Sequence, residues 1–278
     1  MANVGNKEDN IEILLSTMNR TSLSFLSNMF PDQDYTNYNI LIVNQTSKRK
    51  LLVSSHANIR VINSFEKGLS LSRNIALKNA KSNICLIADD DVTYVKGFKE
   101  IIVNAFGKYS LADIVTFQLV DYNNKLFKDY PNIILHDKKT VSTVNSVVIA
   151  LKRKEILKNK IFFNTNFGMG SIFCTAGEYV FLRNALKGNL KIYFEPKTIL
   201  KHPCFSSGQA VAKDEIVFAR SAVFYKYNGM LTYLKLWWHL YLLLNSGHLK
   251  FGQIFKKYKI GLMGINKYKY LLKQGLET

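Results

Sequence analysis

Three aspartates in a row, Asp89, Asp90 and Asp91, directly follow the apolar run ICLIA in a chain of 278 residues. Adjacent carboxylates repel one another, and at the end of a buried strand they need protonation or a partner. One outcome is a solvated turn, because Asp is an ordinary turn residue. The other is a divalent cation held by carboxylate oxygens, with the phosphates of a substrate completing its shell.

The elements that must position these carboxylates can be read from periodicity. Apolar runs at residues 11–17, 38–43, 59–62, 83–88 and 114–120 predict buried strands. Between them, residues 23–30, 68–80 and 95–106 carry apolar side chains at helical spacing. Strand and helix in alternation predict an α/β fold with a mostly parallel sheet covered by helices on both faces. Ligands in such sheets bind beyond the carboxyl ends of the strands. Thr17, Asn19, Gln45 and the three aspartates all fall there. Beyond Asp121 the pattern changes. A strand is expected over residues 141–151, then a glycine-dotted loop (NTNFGMGSIFCTAG, residues 164–177) and a helix over 178–187. A strand over 191–194 and an extended segment over 199–203 follow.

Composition bounds the function. Hydrophobic residues make up 47% and charged residues 21%, so a large core is possible and wholesale disorder is excluded. The net charge of +18 favours an anionic partner. Cys85, Cys174 and Cys204 form no CxxC pair, which argues against a disulfide framework or zinc site and for a reduced, intracellular protein. Residues 1–10 contain Lys7, Glu8 and Asp9 and no apolar run, so they do not read as a signal peptide.

Positive charge gathers late in the chain. Residues 216–276 contain no acid, and nine lysines lie from Lys226 onward. The run MLTYLKLWWHLYLLL (residues 230–244) is too short and too polar to span a bilayer. Phe251, Ile254, Phe255, Tyr258 and Leu262 recur at helical spacing, with Lys250, Gln253, Lys256 and Lys257 mostly opposite. This predicts a basic amphipathic appendage, residues 223–278, following a catalytic domain of residues 1–222. Its apolar face either lies in an anionic membrane interface or packs on the main domain.

Two enzyme chemistries fit the aspartates. Asp89-x-Asp91-x-Thr93 spells the phosphoaspartate loop of haloacid-dehalogenase-type phosphatases. No downstream acidic cluster accompanies it, and the aspartates follow the fourth strand rather than the first. The other chemistry is a DxD element in a nucleotide-sugar glycosyltransferase. ILLSTMNR (13–20), LIVNQT (41–46), LSLSRNIALKNA (69–80) and CLIADDDV (85–92) occur in order. FGMGS (167–171), GEYVFLRNALKGNLKIYFEP (177–196) and KHP (201–203) follow. Over residues 11–229 this set resembles the family 2 glycosyltransferases of the Rossmann-like GT-A fold, in the bacterial group that decorates surface polysaccharides. A basic RNA- or membrane-binding protein would explain the charge but not the aspartates, and no RNA-module signature is present.

The resemblance implies roles residue by residue. Thr17, Asn19 and Arg20 stand where the family meets the nucleotide, and Asn44 and Gln45 replace the acid that often follows its second strand. Arg73 and Asn74 match its Arg-Asn pair, with Arg73 placed for the uracil or phosphates. Asp89 would meet the ribose, Asp91 a Mn2+ or Mg2+ ion, and Asp90 lies between them. Glu178 would be the base that deprotonates the acceptor, although Tyr179 stands where the family usually has a second acid. His202 matches a metal-ligand position of some members, and Arg220 a basic segment near the diphosphate. Gly168 and Gly170 fall in the acceptor loop. The expected reaction is inverting transfer of one sugar, since the QxxRW signature of processive synthases is absent. A UDP-sugar donor, a glycan or lipid-linked acceptor and no nucleic-acid partner follow. The expected place is the cytoplasm, peripheral to the inner face of the plasma membrane.

Overall fold

The computed structural model describes residues 11–31, 33–203 and 211–277. The readings made on residues 1–10 and on Cys204 lie outside them. The chain divides into two units, Met1–Phe163 with Phe181–Cys204, and Asn164–Val180 with Phe205–Thr278.

The first unit is built on an eight-stranded sheet. Its strands are β1 (Ile11–Met18), β2 (Asn39–Gln45), β3 (Ile59–Ser64), β4 (Ile84–Asp89), β5 (Thr93–Tyr94), β6 (Ile114–Val120), β7 (Ile149–Lys152) and β8 (Ile192–Lys201). Their spatial order is β3-β2-β1-β4-β7-β6-β8-β5. β1, β2, β3 and β4 are mutually parallel and β6 is parallel to β8, while β7 and β5 pair antiparallel with their neighbours. β1 and β4 are central and buried on both faces, as their unbroken apolar runs require. The helices of this unit are α1 (Leu26–Met29), α2 (Leu69–Asn79), α3 (Phe98–Lys108), α4 (Arg153–Lys158) and most of α5 (Gly177–Lys187). In register Ser16 lies beside Asp89, so β1 and β4 deliver their last residues to the same edge.

Three local expectations are corrected. The strand expected over 141–151 is two 3-10 turns, Thr140–Thr143 and Ser146–Val148, before β7 begins at Ile149. Ser142 Oγ donates to Lys139 O and Thr143 Oγ1 to Thr140 O, while Asp137 accepts from the amides of Lys139 and Thr140. Short polar side chains that bond locally draw the backbone out of a ladder. The two segments expected at 191–194 and 199–203 form one strand, β8. Pro196, which has no amide hydrogen, falls where the β6–β8 register shifts, between the Thr116–Phe194 and Gln118–Thr198 pairs. Finally, α3 starts at Phe98 because Thr93 and Tyr94 pair with β8 and Gly97 takes a left-handed φ of 77°.

The second unit holds α6 (Asp214–Asn228), α7 (Thr232–Asn245) and α8 (Ile254–Lys273). Phe167, Phe173 and Val180 pack with Ala219, Val223 and Tyr268, and Val217 packs with Leu236, Leu240 and Ile265. Of the apolar face read on α8, Ile254, Tyr258 and Leu262 are partly buried against the core. Lys257, Gly261, Gly264, Ile265, Tyr268 and Leu271 are buried, whereas Phe251 and Phe255 are exposed. Lys257 bonds Asp214 and the carbonyl of Ala212. Gly261 and Gly264 let α8 approach α6 closely: a Cβ on Gly264 would lie 2.1 Å from the Phe218 carbonyl oxygen.

Candidate active site

At the edge where β1 and β4 end, each aspartate has a different set of partners. Asp89 accepts from Arg73 Nη2 at both oxygens, 2.9 and 3.0 Å. The same nitrogen donates to Ser146 Oγ at 2.9 Å, and the guanidinium lies 5.4 Å from the Phe163 ring centre. Arg73 is only 2% exposed, so α2 delivers a nearly dry cation to the strand end. The 3-10 turn that replaced the expected strand supplies Ser146. Asp90 turns the other way. Its Oδ2 accepts from Thr17 Oγ1 at 2.5 Å and from Arg20 at 2.7–2.9 Å, which ties β4 to the loop after β1.

Asp91 is more open, and among the described residues its ion-pair neighbour is His202, whose Nε2 lies 3.7 Å from Oδ2. Desolvation, and then the charges of Asp89 and Asp90, hold the Asp91 carboxyl above its usual value, against the pull of His202. His202 Nδ1 lies 2.8 Å from the carbonyl of Pro203. A carbonyl only accepts, so Nδ1 donates in that contact and Nε2 is the nitrogen turned toward Asp91. An oriented imidazole and a half-exposed carboxylate are a fitting donor pair for Mn2+ or Mg2+, ions that keep positions for phosphate oxygens. No group of three protein ligands occurs among the described residues. A cation here would rely on the substrate for the rest of its shell.

The polar residues around this edge largely bond the protein itself. Asn44 Oδ1 accepts from the Arg20 amide, and its Nδ2 donates to the Arg20 carbonyl and to Asn63. Gln45 Oε1 accepts from the Gly68 amide at the start of α2. Asn74 bonds the amide and the carbonyl of Phe163, both at 2.8 Å. Asn19 is exposed with a left-handed φ of 55°, its amide donating to Gln45 O. The amides of Asn44, Gln45 and Asn74 thus fix loops beside the site, a role their spelling did not reveal.

In the second unit, Gly168 and Gly170 have φ of 110° and 78°, in a tight loop closed by Gly168 N to Phe173 O and Phe173 N to Asn166 O. Glu178 is half-buried in the first turn of α5, after Ala176 at φ 65°. Arg220 lies on α6, where burial lowers its pKa. One residue was missed altogether. Glu277, whose side chain is 0% exposed, accepts from Lys226 Nζ at 2.7 Å and from Asn164 and Asn166 at 2.8–3.1 Å. It ties the end of the chain to the glycine loop. Nothing in its spelling distinguishes it from a terminal solvated acid.

A mostly parallel sheet flanked by helices, with three aspartates and two arginines at the edge where β1 and β4 end, places the chain in the GT-A class of α/β folds. The family profile for glycosyl transferase family 2 matches residues 7–178, and the chain belongs to that family. It is a glycosyltransferase. The fold is similar to S. aureus TarS 1–349 at 13% identity and TM-score 0.55, covering 96% of this chain and 92% of that one. TarS 1–349 in complex with UDP-GlcNAc is similar at 12% identity and TM-score 0.54, over the same shares of both chains. A mannosyltransferase, PcManGT from Pyrobaculum calidifontis in complex with GDP-Man and Mn2+, is similar at 15% identity and TM-score 0.55, covering 95% and 85%. At these identities the likeness establishes the fold. No curated protein matches.

Proposed function

We propose that the chain transfers a single sugar, with inversion, from a UDP-sugar to a glycan or lipid-linked hydroxyl in the making of a bacterial surface polysaccharide. The observation that carries this reading is the Asp91–His202 pair beside Asp89 and Asp90, at the sheet edge where a nucleotide diphosphate is expected. Asp91 Oδ2 and His202 Nε2 are the atoms that would hold the cation. A bound Mn2+ or Mg2+ would offset the negative charge that builds on the departing diphosphate.

The remaining roles belong to the chain's own groups. Arg73 holds the Asp89 carboxylate in one orientation, with Asp89 proposed to meet the ribose. Thr17, Asn19, Arg20, Gln45, Asn74 and Asp90 shape the nucleotide subsite, and Arg220 is proposed to face the diphosphate. Glu178 is proposed as the base that takes the acceptor's proton, with Gly168 and Gly170 in the loop that receives the acceptor. General-base action of this kind is worth about a hundred- to ten-thousandfold. The proposed place of work is the inner face of the plasma membrane, reached from the cytoplasm; among the described residues no helix is long and apolar enough to cross a membrane. The phosphatase alternative would need a free nucleophilic carboxylate, and both oxygens of Asp89 are held by Arg73.

Nucleotide release from a panel of UDP- and GDP-sugars, with and without Mn2+, tests the reading. Asp91→Asn is expected to remove turnover and the response to metal together. Glu178→Gln should lower transfer at least about a hundredfold while a UDP-induced thermal shift persists. Full activity of Asp91→Asn in chelator would discredit the metal pair, and near-normal turnover of Glu178→Gln would remove it as the base.

A further inference from the structure

We propose that the outward face of α7, continued by Phe251 and Phe255 at the start of α8, docks on an anionic lipid surface. α7 is apolar on two sides. One side, Leu236, Leu240 and Leu243, is buried in the second unit's core. The opposite side presents Leu231, Leu234, Trp238 and Tyr241, at spacings of three and four residues, and Leu234 is 71% exposed. A helix in contact with water on one side has no need of apolar residues there. Trp237 joins the two parts of the face. It stacks on Tyr258 with ring centres 4.3 Å apart and meets Phe255 edge-on at 6.0 Å.

Charge selects the occupant. Lys250, Lys256 and Lys259 are exposed on the segment that carries Phe251 and Phe255. Asp214, the acid paired with Lys256 at 3.8 Å, is also bonded by the buried Lys257. No other acid intervenes between residues 216 and 276. Tryptophan and tyrosine beside lysines suit the boundary of headgroups and acyl chains. At 14 residues α7 is about 21 Å long, short of the roughly 30 Å hydrocarbon core, so the helix lies on the bilayer rather than through it. A second copy of the chain would find the same cations facing its own.

This inference rests on the membrane-side location in the reading above. Its test contains no donor and no acceptor, so its failure leaves the transfer reading standing. The full chain is sedimented with vesicles of phosphatidylcholine, alone or mixed equally with phosphatidylglycerol, while emission from Trp237 and Trp238 is followed. Binding to the anionic vesicles about tenfold tighter than to the neutral ones, weakened by salt and accompanied by a blue shift, is the expected result. The double variant Leu234→Glu with Trp238→Glu should lose at least about tenfold in that binding. Lys250→Gln, Lys256→Gln and Lys259→Gln combined should remove the preference for anionic lipid without a change in melting temperature. Equal affinity for both vesicle types, or none for either, would overturn the proposal. So would a dimer in lipid-free buffer that Leu234→Glu dissociates, since it assigns the face to a second copy.

Discussion

Arg73 brings its guanidinium to a nearly dry position: its Nη2 meets both Asp89 oxygens and Ser146 Oγ, and its Nε has no partner among the described residues. Removing one member of a buried pair leaves the other charge uncompensated, which costs about 3–5 kcal/mol when both are buried. Asp89 keeps 26% of its side-chain surface, so Arg73→Met is expected to cost about 2–3 kcal/mol, read as a lowered urea midpoint. Donor binding should weaken in the same variant. His136 supplies a pH dependence. Burial holds its imidazole neutral down to about 4, with Thr116 and Thr140 on its two nitrogens and Asp137 pulling the other way. Above the unfolded value near 6.5 both states are neutral and nothing is lost. As pH falls from there toward 4, the unfolded chain takes up a proton the folded one refuses, so stability declines. His136→Gln should flatten that decline in a series of urea titrations between pH 7 and 4. At this scale the sequence displayed the aspartates openly, because like charges together after an apolar strand demand a reason. The tasks of Asn44, Gln45 and Asn74 were hidden, since each bonds backbone about 20 or more residues away along the chain.

Among the elements, strands and helices announced by clear periodicity fell where expected: β1, β2, β4, β6 and α2 differ only at their ends. Error entered where side chains competed with the backbone, as over residues 140–148, or where proline met a register shift in β8. The packing of α8 was legible only in part. Lys257, read on the polar side, is buried, because the helix is positioned by what lets it approach α6. The two glycines, three residues apart, carried that signal. Gly264→Ala would force a methyl against the Phe218 backbone, which cannot swing aside as a side chain can. A loss of at least about 1–3 kcal/mol is expected, seen as earlier unfolding of the second unit by hydrogen exchange. Gly252, with nothing within 4 Å of a Cβ, is the matched control and should tolerate alanine.

For the molecule as a whole, the excess of 38 basic over 20 acidic side chains hides how few acids serve the second unit. Asp214 anchors Lys257, and Glu277 anchors Lys226, Asn164 and Asn166. Glu277→Ala should therefore lower the thermal midpoint by an amount corresponding to about 3–5 kcal/mol, because Lys226 is left buried without its acid. The second unit is assembled from two stretches far apart in sequence, 164–180 and the segment from 205 onward. Trimming a gene at residue 178, where the family profile stops, or near 204, would therefore not yield a leaner catalyst. The rings of Phe167 and Phe173 would emerge from the ribosome with no Ala219, Val223 or Tyr268 to cover them. Such fragments should collect in inclusion bodies, and expression trials are better begun with every codon kept.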